Sequence, residues 1–115
     1  MARILVVDDE TIVRDLLLAY LRHSGHTVLE AADGEEALTI QRSEPVDLII
    51  TDNAMPRLTG REMIGILRRE YPDVRIIAMS GLAVDEAVRN EVERVLPKPF
   101  TKREFLDSIS ETLAT

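Results

Sequence analysis

Ile4-Leu5-Val6-Val7-Asp8-Asp9-Glu10 decides the reading of this chain: four consecutive apolar residues run straight into three acids. A short, unbroken apolar run suits a strand covered on both faces, as in a parallel sheet, whereas a strand with one wet face alternates. The signature returns at Leu48-Ile49-Ile50, and at Val74 to Met79 with Arg75 as the only interruption. Thr27 to Ala31 and Arg94 to Leu96 are weaker strands by the same criterion.

A helical pattern follows each strand. In the first helix Ile12, Val13, Leu16, Leu17 and Tyr20 form one broad stripe, with Leu18 off it among charged residues and Gly25 as the expected stop. Asp33 with Glu36, Thr59 with Glu62 and Thr101 with Glu104 have capping-box spacing. Leu58 with Met63, and Phe100 with Phe105, are placed as hydrophobic staples, and Phe105, Leu106, Ile109 and Leu113 share a face of the last helix. His23 and His26 flank a turn and read as polar surface.

Five strand–helix pairs in 115 residues imply one α/β domain, residues 1–115, with right-handed crossovers. An apolar fraction of 45% supplies the core, and a net charge of −7 argues against a nucleic-acid surface, which needs a basic face. No apolar stretch approaches the roughly 20 residues needed to cross a bilayer. The run before the three acids is too short for a signal peptide, and the absence of cysteine fits a reducing compartment.

In such folds ligands bind beyond the carboxyl ends of the strands. There the sequence places Asp8, Asp9 and Glu10 after the first strand, Asp52 and Asn53 after the third, Ser80 after the fourth, and Lys98-Pro99 after the fifth. Each alone has an ordinary reading: a helix cap, a turn, a loop, a strand end. Together, Asp8, Asp9 and Asp52 would repel one another, by roughly 4 kcal/mol for a pair about 4 Å apart at an effective dielectric of 20, unless compensated. A hard divalent cation is the natural compensation. No histidine or cysteine lies at a strand end, so the only candidate nucleophile for phosphoryl chemistry is a carboxylate. There is no G-x-x-x-x-G-K and no G-x-G-x-x-G motif for a nucleotide.

Asp8-Asp9, Asp52 followed by Met55-Pro56 and Gly60, Ser80, and Lys98-Pro99-Phe100 together resemble the receiver domains of bacterial response regulators, over the whole chain. The resemblance implies a doubly wound, flavodoxin-like sheet of strand order 2-1-3-4-5. It implies that Asp52 accepts a phosphoryl group from a sensor histidine kinase, a phosphotransfer protein or a small donor. Asp9, Asp52 and the Ala54 carbonyl would bind Mg2+, and Asp8 would hold the metal or a water on it. Lys98 would pair with a phosphoryl oxygen, Ser80 would swing to meet it, and the Lys98-Pro99 peptide would be cis. The implied protein is a cytoplasmic switch of protein–protein contacts with an unknown downstream partner, not an enzyme with turnover and not a binder of nucleic acid or membrane.

Three positions depart from the family pattern. The stretch from Ser80 to Lys98 is roughly one helical turn shorter than usual. Val84, Ala87, Val88 and Val92 still make a stripe, which predicts a shortened fourth helix. Val95 stands where an aromatic residue is common, and Thr59 where an acid is common. The first two predict a different or reduced rearrangement on the face of the fourth helix, fifth strand and fifth helix. Ala54 and Leu82, each two residues beyond a site residue, are apolar and could not orient water, which predicts slow self-dephosphorylation. The alternatives are a receiver fold kept as a non-switching binding or dimerisation module, and a magnesium-dependent phosphohydrolase. The second usually carries an aspartate where Ala54 stands.

Overall fold

The three runs that read as covered strands are the inner strands of the sheet. In the computed structural model, which describes residues 1–53, 60–81, 84 and 86–114, they are β1 (Arg3–Val7), β3 (Leu48–Asp52) and β4 (Arg75–Ser80). The weaker candidates are the edges, β2 (Thr27–Ala31) and β5 (Arg94–Pro97). All pairings are parallel and the order is β2-β1-β3-β4-β5.

Alternation along the strands sorts the core into two layers. Leu5, Val7, Ile49, Ile76 and Ala78 face α2 (Gly34–Ser43) and α3 (Gly60–Glu70) through Leu38, Met63 and Leu67. Ile4, Val6, Ile50, Ile77 and Met79 face α1 (Thr11–Leu21) and α5 (Lys102–Ala114) through Leu17, Leu21, Phe105 and Ile109. Leu106 and Leu113 pack against this second layer, as their spacing requires.

The local helix signals are realised where they can be seen. Asp33 accepts the Glu36 N–H at 2.8 Å, and the Glu36 carboxylate reaches back to the Ala32 N–H at 3.0 Å, one residue earlier than in a standard box. Thr101 and Glu104 form the full reciprocal box, and Phe100 stacks on Phe105 with centroids 5.7 Å apart. The Thr59–Glu62 and Leu58–Met63 pairs fall partly outside the described residues.

Four expectations are corrected. The buried face of α1 centres on Leu17 and Leu21, with Leu18 half-buried against the core, while Ile12 and Leu16 are 84% and 49% exposed. Leu16 lies about 100° round the helix from Leu17, so a stripe that wide cannot all face inward. Gly25 is not the cap of α1: it has φ 86° in the turn beyond Arg22, and its open α-carbon accommodates Met1. His26 is half-buried, and its Nδ1 accepts the Ala2 N–H at 3.0 Å, tying the N-terminus to β2.

The fourth helix, α4 (Glu86–Arg89), is short as predicted, but only Val84 and Val88 are buried; Ala87 is exposed and Val92 lies past its end. With so little helix here, one side chain takes over. Arg68 of α3 donates to the carbonyl of Glu91 through Nε and Nη2 at 3.0 and 2.7 Å, and to those of Pro72 and Val74 through Nη1 at 2.9 and 3.0 Å. Its Nη2 also meets Glu93 Oε1 at 3.0 Å, and that oxygen accepts the Ile76 N–H at 2.7 Å. The turn between α4 and β5 is thus clasped to α3 and to the start of β4.

Candidate functional site

Asp52 and Ser80 are the last residues of β3 and β4, and Asp8 and Lys98 follow β1 and β5 directly. The sheet therefore delivers all four to its carboxyl edge. The Asn53 N–H to Met79 carbonyl bond (3.0 Å) and the Lys98 N–H to Ser80 carbonyl bond (2.8 Å) carry the ladder past the strand ends and fix the backbone there. Gly60 opens α3 hard against this edge: a β-carbon at Gly60 would sit 2.9 Å from the Asn53 α-carbon, so the motif's glycine is a steric requirement.

Asp52 is nearly buried, and its Oδ2 meets Lys98 Nζ at 3.2 Å. Asp8 is fully buried. Its Oδ1 accepts the Glu10 N–H at 2.9 Å, and its Oδ2 is buried without a hydrogen-bond partner. Burial pushes the Asp8 carboxyl above its ordinary value, the Glu10 N–H pulls it back, and the charges of Asp52 and Lys98 then act in opposite directions. Carboxylate oxygens of Asp8, Glu10 and Asp52 all lie within 4.8 Å of one another.

The structure thus brings together Asp8, Asp52 and Lys98, with Ser80 one residue beyond Met79, the register partner of Asp52. It places Glu10, rather than Asp9, in the carboxylate group, both residues being exposed. The chain bends at Asp9, and the Glu10 N–H closes back onto Asp8 Oδ1 at 2.9 Å, which holds residues 8 and 10 together. Glu10 had a sequence signal, as the third acid of the triplet, but nothing in it chose between neighbours. Ala54 and Leu82 lie outside the described residues. The Lys98-Pro99 peptide is cis. Val95 is half-buried on β5 opposite Ala78, against the layer that includes Val84 and Val88.

These residues fit a hard divalent cation. The donors are all oxygens, the carboxylates are too close to remain charged together at low cost, and a buried Asp8 oxygen is left without a proton donor. An acidic cluster able to hold a metal is therefore present beside a lysine paired with Asp52.

A family model described as the response regulator receiver domain matches residues 4–110. The chain is 36% identical over 118 residues to the sensor kinase CckA of Brucella abortus, covering 97% of this chain and 12% of that protein. It is 40% identical over 108 residues to the response regulator MprA of Mycobacterium ulcerans, covering 90% of this chain and 47% of that protein. The chain thus spans about half, or much less, of the length of these relatives. Among solved structures, the response regulator TrrA of Thermotoga maritima, in complex with Mg(2+)-BeF, superposes with a TM-score of 0.90 at 32% identity over 97% of this chain and 99% of that one. A CheY-like receiver domain protein of Methanospirillum hungatei superposes with a TM-score of 0.92 at 28% identity over 99% and 94%.

Proposed function

The chain belongs to the response regulator receiver domain family, and from that premise we propose that residues 1–115 act as one phosphorylated signalling switch with Asp52 as the acceptor. The observation that carries this reading is the Lys98–Asp52 contact at 3.2 Å beside the group of Asp8, Glu10 and Asp52. An Asp52 oxygen attacks phosphorus in line, the bond from phosphorus to the donor's imidazole nitrogen breaks, and the imidazole leaves to take up a proton. Lys98 neutralises charge on the acceptor and then on the phosphoryl oxygens. Ser80 supplies a hydroxyl to the phosphoryl group.

Asp8, Asp52 and either Asp9 or Glu10 would hold Mg2+, with the Ala54 carbonyl as a further ligand. When bound, the ion neutralises the carboxylates and the phosphoryl oxygens together. Self-catalysed transfer follows from the same set and slow self-dephosphorylation from the apolar side chains of Ala54 and Leu82, and the protein turns over no substrate of its own.

The donor is a histidine kinase or phosphotransfer protein, and it must approach the carboxyl edge of the sheet. On that rim Ile12 and Leu16 are exposed, and Val13, Leu16 and Tyr20 line a groove with Lys98, Pro99 and Phe100. We place the donor's contact there, because exposed apolar side chains at the mouth of a charged site favour a protein partner. The output is a further protein, and the setting is cytoplasmic; no helix among the described residues is long and apolar enough to cross a membrane.

The test is transfer from a phosphorylated histidine kinase domain with Mg2+ or with a chelator. Mg2+-dependent label on wild type and none on Asp52→Asn supports the reading. The short α4 and the Arg68 clasp favour a second reading, a receiver fold that binds without switching. Phosphorylation with no change in amide shifts over residues 84–110 would favour that one.

A further inference from the structure

Arg14 is the side chain whose bonds the phosphoacceptor chemistry does not use, yet which grips the acidic loop. From the first turns of α1 its Nη1 donates to the backbone carbonyl of Asp8 at 2.6 Å, and its Nε donates to Glu30 Oε1 on β2 at 2.9 Å. Its own backbone N–H bonds the Glu10 carbonyl at 2.9 Å. The loop from Asp8 to Glu10 is therefore held at both ends by one residue. The guanidinium is well covered, its side chain 13% exposed against 53% for Glu30. A charge-assisted bond to a carbonyl is strong and fixes the plane of the Asp8–Asp9 peptide, inside the loop that carries the Asp8 and Glu10 carboxylates.

The loop needs such a grip. Asp8, Glu10 and Asp52 repel across less than 4.8 Å, and the simplest relief in the absence of a cation is for the loop to turn its carboxylates apart. We propose that Arg14 is a positioning residue for divalent-cation binding, locked by Glu30, which keeps the Asp8–Glu10 loop in its binding geometry. This rests on the phosphoacceptor reading above. Two physical expectations oppose each other here. If Arg14 acted only as a nearby positive charge, removing it would tighten Mg2+ binding. If it acts by position, removing it weakens binding although the local charge becomes more favourable.

The experiment is Mg2+ titration of the full chain followed by amide NMR shifts, for wild type, Arg14→Lys, Glu30→Gln, the double variant and Asp52→Asn. Arg14→Lys keeps the charge but cannot make both bonds in one plane. Glu30→Gln leaves every candidate ligand intact and tests the lock from β2, outside the candidate ligand set. The expected result is a Kd for Mg2+ raised about tenfold in Arg14→Lys, as for residues that orient ligands from behind, and raised less in Glu30→Gln. The double variant should bind no worse than Arg14→Lys, since the two act through one bond chain. Equal or tighter binding in both single variants, with dispersed native spectra, overturns the role of Arg14 and leaves the phosphoacceptor reading standing. A wild type that binds Mg2+ no better than Asp52→Asn overturns both.

Discussion

Replacing Asp8 by asparagine should stabilise the metal-free protein while weakening its response to magnesium. Asp8 is fully buried with an unpartnered Oδ2, and its oxygens lie within 4.8 Å of those of Glu10 and Asp52. At that separation and an effective dielectric of 20, each like-charge pair costs about 3.5 kcal/mol. Solvent screening of the exposed Glu10, and the Lys98 ammonium, offset much of this. Asparagine can still accept the Glu10 N–H through Oδ1 and can donate its amide toward Asp52. The net gain at neutral pH should be about 1–2 kcal/mol, or roughly 4–8 °C in Tm for a domain of this size.

The pH dependence carries the sign. Burial raises the Asp8 carboxyl above its ordinary 3.8, so the folded state holds the proton more tightly than the unfolded chain. The stability this supplies is present below 3.8 and is lost as pH rises through the folded-state value. The advantage of Asp8→Asn should therefore grow as pH rises above 3.8 and through the folded-state value. Urea unfolding without metal, repeated with Mg2+, is the assay. Mg2+ at 100 times its Kd should stabilise the wild type by about 2.7 kcal/mol, and the variant by less at the same concentration. A wild type as stable as the variant at neutral pH, or a difference that does not vary with pH, would refute the reasoning.

Arg68→Ala should cost about 3 kcal/mol in urea unfolding, because carbonyls of Glu91, Pro72 and Val74 lose a charged donor at once; a loss under about 1 kcal/mol would mean that water replaces the clasp without strain. Leu16→Asp should slow transfer from a phosphorylated kinase domain by about tenfold or more, since a carboxylate in the groove lining must be desolvated when the donor docks. Its labelling by acetyl phosphate should stay at the wild-type rate, and equal slowing by both donors would place the residue in the chemistry instead. Ala54→Asn should shorten the phosphoryl half-life; a half-life unchanged or lengthened would count against water orientation at that position.

How legible each element was depends on how local its determinants are. β1, β3 and β4 announce themselves because both of their faces are covered, so Ile4 to Val7, Leu48 to Ile50 and Ile76 to Met79 run apolar without a break. β2 and β5 are edges with partly wet faces, and Thr27, Glu30 and Arg94 dilute their signal. Asp33 with Glu36 and Thr101 with Glu104 were readable because their bonds close within three residues. The buried side of α1 was not, since Ile12 and Leu16 belong to the exposed rim and apolarity alone cannot separate rim from core. At the site, the strand-end logic found Asp8, Asp52 and Lys98. It took Asp9 as the third carboxylate, whereas the oxygens grouped with those of Asp8 and Asp52 are Glu10's. Arg14 and Arg68 left no trace in the sequence: their acceptors are mainly backbone carbonyls, up to 23 residues away. Any residue type would serve at a carbonyl acceptor, and the two side-chain acceptors, Glu30 and Glu93, lie 16 and 25 residues from their arginines.

The central claim is that Asp52 accepts a phosphoryl group, and intact-protein mass after incubation with acetyl phosphate and Mg2+ tests it most directly. Wild type should gain the mass of one phosphoryl group and Asp52→Asn none, with the gain abolished by a chelator. An equal gain in both proteins, or no gain in a folded wild type, would contradict the account.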